Sequence, residues 1–178
     1  MNIIKLNGGY EMKISRVWNM PSKNTFEIKP IKELIEKYYD DKKIWINPFA
    51  NKSKYGVTND LDKQYKTDYN LDAIDFLKTF KDDSVDGVLF DPPFSPRQVS
   101  ECYKKLDKTV NMQTTQSSFW GNLKKEIHRV SKKDSIVISF GWNSGGIGKT
   151  KGFEIQEILL VPHGGWHNDT ICTVEKKL

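Results

Sequence analysis

The chain has 178 residues, of which 37% are hydrophobic, 12% aromatic and 29% charged. That length fits one domain, and so apolar a composition excludes a chain too polar to collapse. No run approaches the roughly 20 apolar residues of a membrane span, and the first residues lack the apolar stretch of a secretory leader. A single soluble domain over 1–178 is therefore expected in the cytoplasm. Lys and Arg number 28 against 23 Asp and Glu, and the net charge of +5 mildly favours an anionic partner. Cys102 and Cys172 have no CxxC or Cys/His spacing, so neither a disulfide framework nor a structural metal is expected.

In chain order, Ile31, Leu34, Ile35 and Tyr38 follow the spacing of an amphipathic helix over 31–39, with Pro30 at its start. Lys43–Ile46 reads as a short buried strand stopped by Asn47-Pro48. Leu71–Phe80 reads as a helix with Ala73, Ile74 and Leu77 on its apolar stripe. Asp86–Phe90 is a second buried strand, broken by Pro92-Pro93. Phe119–Val130 is a helix with Leu123, Ile127 and Val130 inward, and Ser135–Phe140 is a third strand. Ile155–Val161 and Asp169–Glu175 are joined by too few residues for a crossover helix and so predict a hairpin. Strands separated by helices, then a hairpin, point to an open, mostly parallel α/β sheet of Rossmann-like type. Its ligand is expected beyond the carboxyl ends of the strands, where the Asn47-Pro48 and Asp91-Pro92 breaks fall.

The segment Asp91-Pro92-Pro93-Phe94 carries the chemistry. A buried strand delivers a carboxylate, two rigid residues and an aromatic to one point. The exocyclic amine of adenine or cytosine is a poor nucleophile, because its lone pair is delocalised into the ring. The Asp91 carboxylate and the Pro92 carbonyl form an acceptor pair that can draw both amine hydrogens and favour a pyramidal nitrogen. The prolines fix the carbonyl direction, and Phe94 offers a flat face on which a flipped base can stack.

This tetrapeptide resembles motif IV of the DNA amino-methyltransferases, which act on adenine N6 or cytosine N4. Ile44-Trp45-Ile46-Asn47-Pro48-Phe49-Ala50-Asn51 resembles the family's motif I, with Asn47 in place of the commoner Asp and Asn51 in place of a glycine. Pro21–Ile31 resembles motif X, with Phe26 as its aromatic. The order X, I, IV is that of the γ-type arrangement, in a small phage-like form without a separate target-recognition domain. The resemblance implies a class I methyltransferase-like fold, residues 1–42 on the cofactor side of a catalytic core over 43–178, and S-adenosyl-L-methionine as cofactor. It implies cofactor contacts at Phe26, Asn47, Pro48, Phe49, Ala50 and Asp91, a ribose contact at Asp60 with Asp62 second, and an adenine contact at Asp72-Ala73. It also implies catalytic roles for Asp91, Pro92, Pro93 and Phe94. DNA is the expected partner and adenine N6 the first target. Cytosine N4, RNA, a protein glutamine amide and a non-catalytic cofactor-binding subunit stand as alternatives, and a homodimer is left open.

With no room for a recognition domain, Phe94 and the segment 95–118 are expected to contact bases and phosphates, the segment through Arg97, Tyr103, Lys104, Lys105 and Lys108, followed by the polar run Asn111–Ser118. Gly145–Thr150 ends like a phosphate loop but lacks its spacing, and it reads as a mobile loop over the site. His163 and His167 are separated by Gly164-Gly165, which disfavours a zinc-binding helix and predicts a glycine turn with His and Trp at its tip.

Overall fold

A computed structural model describes residues 2–5, 11–106 and 117–178. Among the described residues eight strands form one sheet: β1 (Asn2–Lys5), β2 (Glu11–Arg16), β3 (Trp45–Asn47), β4 (Val57–Thr58), β5 (Val85–Phe90), β6 (Ser131–Gly141), β7 (Phe153–Val161) and β8 (Thr170–Lys177). Their order across the sheet is β1-β2-β7-β8-β6-β5-β3-β4. The β4-β3-β5-β6 half is parallel, β8 runs antiparallel between β6 and β7, β2 is parallel to β7, and β1 is antiparallel to β2. The open, mostly parallel sheet and its C-terminal hairpin agree with the sequence.

Among the described residues four helices flank the sheet: α1 (Lys29–Tyr38), α2 (Ala73–Lys78), α3 (Pro96–Lys105) and α4 (Ser117–Val130). Alternation along the strands divides the core into two layers, because successive side chains of a strand point to opposite faces. Ile46, Val88, Phe90 and Val137 pack with Phe76 and Leu77 of α2, Val99 of α3, and Leu123, Ile127 and Val130 of α4. Trp45, Leu89, Ile138 and Phe140 face the other way, onto Ile31, Leu34 and Ile35 of α1. Gly87 lies opposite Trp45, and a Cβ there would sit 2.3 Å from the indole. The glycine therefore makes room for the tryptophan that fills the α1 layer.

Several boundaries differ from expectation. The first buried strand starts at Trp45 and includes the buried Asn47, while Ile44 is exposed. The segment after Phe94 holds a ten-residue helix, α3, where the sequence reading assigned no element. The Gly-rich connection after β6 is no free lid. The buried Glu175 carboxylate accepts the N–H groups of Ile147 (2.6 Å) and Gly148 (2.9 Å), and Ile147 is buried in the core. Among the described residues no helix is long and apolar enough to cross a membrane.

Candidate active site

The chain leaves β3 for β4 on one side, and β5 returns to pair on the other. Two parallel strands whose onward connections diverge leave a crevice at their carboxyl ends. A cleft of 410 Å³ opens there, within the usual range for small-ligand sites. Pro48, Phe49 and Asn51 line it from the end of β3, Asn59 to Asp62 from the end of β4, and Leu71 to Ala73 from the start of α2. Asp91 to Phe94 line it from the end of β5, and Gln98, Cys102, Tyr103 and Lys105 from α3.

The Asp91–Phe94 turn is held from three sides. Ser95 caps α3 by accepting the Gln98 N–H at 3.3 Å, and the Gln98 side chain accepts the Phe94 N–H at 2.6 Å. The Trp120 indole of α4 donates to the Pro93 carbonyl at 3.0 Å. Thr25, in the 3-10 turn Thr25–Glu27, makes a side-chain hydrogen bond with Asp91. That turn leads into α1, which is fixed to the sheet because Lys37 and Tyr38 both bind the buried Glu157 carboxylate of β7. One Asp91 oxygen, Oδ1, is buried without a partner. Burial pushes the Asp91 carboxyl up to about 7, against the opposing pull of Thr25. An acceptor with no donor among the described residues suits a donor brought by a ligand.

The acidic positions divide. Asp60 joins the two loops of the cleft, accepting the Asn51 N–H at 2.8 Å on one oxygen and the Asp62 N–H at 2.9 Å on the other. Burial raises its pKa, while those two N–H groups pull it down. Asp72 caps α2 by accepting the Ile74 N–H at 3.0 Å, and its other oxygen accepts the Tyr103 hydroxyl. Both Asp72 oxygens thus have partners within the chain. Asn51 has φ of 50°, the left-handed region where glycine is usual and asparagine is the best-tolerated substitute.

Of the residues singled out from the sequence, Pro48, Phe49, Asp60, Asp72, Ala73, Asp91, Pro92, Pro93, Phe94, Tyr103 and Lys105 meet around this one cleft. Phe26 and Ala50 line an adjoining recess of 180 Å³ that shares Thr25, Phe49, Asn51 and Asp91 with the cleft. Phe26 also packs 5.0 Å from Phe140 in the core. Asn47 lies fully buried outside the cleft lining, with both side-chain polar atoms unpartnered. Two of the basic positions lie off the cleft. Arg97 faces solvent and pairs with Glu101 at 2.8 Å one turn along α3, and Lys104 is exposed and lines no part of it. The helix explains this, since 3.6 residues per turn sends Arg97 and Tyr103 to different faces. Lys108 and most of the polar run, residues 111–116, lie outside the described residues.

Sequence reasoning missed Thr25, Asn59, Gln98 and Trp120. Gln98 had a signal: Ser95-Pro96-Arg97-Gln98 is the Ser-x-x-Gln pattern of a helix start with proline in the first turn. Asn59 is buried and binds the Pro48 carbonyl and both backbone polar groups of Leu71, contacts with no local pattern.

No family model and no curated protein sequence matches the chain. Solved structures do. TrmN from Thermus thermophilus superposes with a TM-score of 0.56 at 13% identity over 85% of this chain and 49% of that one. The putative methyltransferase yhhF from Escherichia coli gives 0.51 at 10% identity over 99% and 98%. The putative methylase HI0767 from Haemophilus influenzae gives 0.50 at 11% identity over 84% and 95%. The chain carries the class I methyltransferase fold. It spans about half the length of the TrmN structure, and identities this low speak for the fold alone. Within this methyltransferase fold the cleft occupies the strand-end crevice, and among the described residues no cluster of His, Cys, Asp or Glu could hold a metal ion.

Proposed function

We propose that the chain is an S-adenosylmethionine-dependent methyltransferase acting on the exocyclic amine of a DNA base, adenine N6 first. The observation that carries this reading is the unpartnered, buried Oδ1 of Asp91 at the carboxyl end of β5, beside two prolines and Phe94. The class I fold and the strand-end cleft support the cofactor. So does the buried, unpartnered Oδ1 of Asn51 in its lining. When bound, S-adenosylmethionine supplies an electrophilic methyl group.

Asp60 is the proposed hydroxyl acceptor for the cofactor, since each of its oxygens has one N–H partner and retains a lone pair. Pro48, Phe49 and Ala73 supply apolar walls, and Phe26 and Ala50 close the adjoining recess. Tyr103, tied to Asp72, is the remaining aromatic face. On the substrate side Asp91 Oδ1 accepts one amine hydrogen and the Pro92 carbonyl the other, which localises the lone pair on nitrogen. Asp91 must be ionised to do so. Phe94 takes the base by stacking, and Lys105, the basic side chain in the cleft lining, 3.9 Å from Asp62, is the proposed phosphate contact.

Mass analysis of nucleosides from DNA incubated with the protein and S-adenosylmethionine tests the reading. Methyladenine is expected. Methylcytosine would move the target to N4, and unmodified DNA beside methylated RNA or protein would move it to another polymer.

A further inference from the structure

The carboxyl edge of the sheet continues past the cleft. From β5 it runs through β6, β8 and β7 to β2, with Gly141 opposite Ile171, Ile171 opposite Leu160, and Leu160 opposite Arg16. Four strand spacings of about 4.8 Å make this edge about 19 Å long. Three of the five tryptophans in the chain step off it into solvent: Trp142 after β6, Trp18 after β2, and Trp166 between β7 and β8. They are 42%, 57% and 103% exposed, and Met20, two residues after Trp18, is 63% exposed. Scattered exposed apolar residues are ordinary, but so many large rings on one rim mark an interaction surface.

The rim is continuous with the cleft, because the Trp142 ring lies 5.6 Å from Phe94, edge to face. It is also built. The buried His163 donates from Nδ1 to the Asn19 carbonyl at 2.9 Å, and its Nε2 bonds the Thr170 hydroxyl at 2.8 Å. Those bonds join the segment carrying Trp18 to the turn carrying Trp166. Trp18 Nε1 would stand 3.3 Å from a Cβ at Gly164, so the glycine lets the two segments meet. Arg16 and His167 are exposed beside the rings, and Asp169 is the one acid in these three segments.

We infer that this rim is a stacking track for an unpaired DNA strand, whose target base enters the cleft against Phe94 while its neighbours lie on Trp142 and then on Trp18 and Trp166. Only unpaired bases expose the ring faces that exposed tryptophans can cover, and stacking of this kind tolerates any sequence. Sites of this kind hold about 4–16 unpaired nucleotides. The choice of DNA rests on the methyl-transfer reading above, whereas the stacking rests on the rim.

The test uses the whole chain without cofactor, so that binding is read apart from methyl transfer. A labelled single strand of about twelve nucleotides, within the site sizes of single-strand binders, is compared with its duplex and with RNA of the same sequence by anisotropy and tryptophan quenching. The single DNA strand should bind at least about tenfold tighter than the duplex and quench tryptophan emission, and Trp166→Ala and Trp142→Ala should each weaken it about tenfold. The salt slope should not change in either variant, because no phosphate contact is lost. Trp166→Phe should restore most of the binding. Trp166 is fully exposed, so its loss leaves folding intact. Variants that bind like the parent, a duplex bound as tightly, a preference for RNA, or dimerisation that buries Trp166 without nucleic acid would each overturn the inference. Binding through the tryptophans without methyl transfer would sink only the proposed function. Methylation unimpaired in both alanine variants would sink only the track.

Discussion

The burial of Asp91 links activity to stability through a single proton. Its carboxyl is pushed from an ordinary 3.8 to about 7, chiefly by desolvation. Between those two values the folded protein holds a proton that the unfolded chain has already released. The contribution of this group to stability is therefore complete below the unfolded value and is lost as pH rises toward the folded one. The gap of about three pH units, at about 1.4 kcal/mol each, amounts to a loss of about 4 kcal/mol by pH 8. Asp91→Asn keeps the shape and cannot ionise. It should lead the parent by about 1–2 kcal/mol near pH 5 and by up to about 4 kcal/mol near pH 8. At about 2–4 °C per kcal/mol for a chain of this size, the gap in melting temperature should widen by roughly 5–12 °C between the two pH values. Methyl transfer by Asp91→Ala, which removes the acceptor altogether, should fall at least about a hundredfold, the scale of losing one well-placed catalytic hydrogen-bonding group. Thermal melts from about pH 5 to pH 8, paired with initial rates, check both halves. A stability difference that does not change with pH, or a parent protein that gains on Asp91→Asn as pH rises, would refute the argument.

Thr25→Val removes the hydrogen bond that opposes this shift, so the pH at which kcat/KM rises should move upward, read from a pH–rate profile. Asp60→Ala should weaken calorimetric binding of S-adenosylhomocysteine to the single site expected per chain and also loosen the Asn51 and Asp62 loops. Asp72→Ala should cost about 1 kcal/mol through the lost cap of α2, while Asp72→Asn, which can still cap, should recover most of the melting temperature. Gly87→Ala should cost about 1–3 kcal/mol, because its methyl would collide with Trp45, and denaturant unfolding measures the loss.

What the sequence determined by itself was local and periodic. The 3.6-residue rhythm of Leu123, Ile127 and Val130 announced α4, and the apolar run Val88-Leu89-Phe90 ending in Asp-Pro-Pro announced β5 together with the turn that leaves it. A loop too short for a crossover announced the β7–β8 hairpin. Each signal lies within one element, where side-chain direction follows from helical or extended geometry alone. The start of α3 was equally local, written in Ser95-Pro96-Arg97-Gln98, but the segment was read for its basic residues and given no helix. Tertiary structure decided the rest. Strand β4 is two residues long and exists only because β3 pairs with it, and β2 is placed by its register on β7. Thr25 reaches Asp91 because Glu157 of β7 anchors α1 behind it. Arg97 and Lys105 look alike as letters in a sequence. The turn of one helix pairs the first with Glu101 in solvent and brings the second to the cleft, since a side chain's partner is set by packing across distant segments.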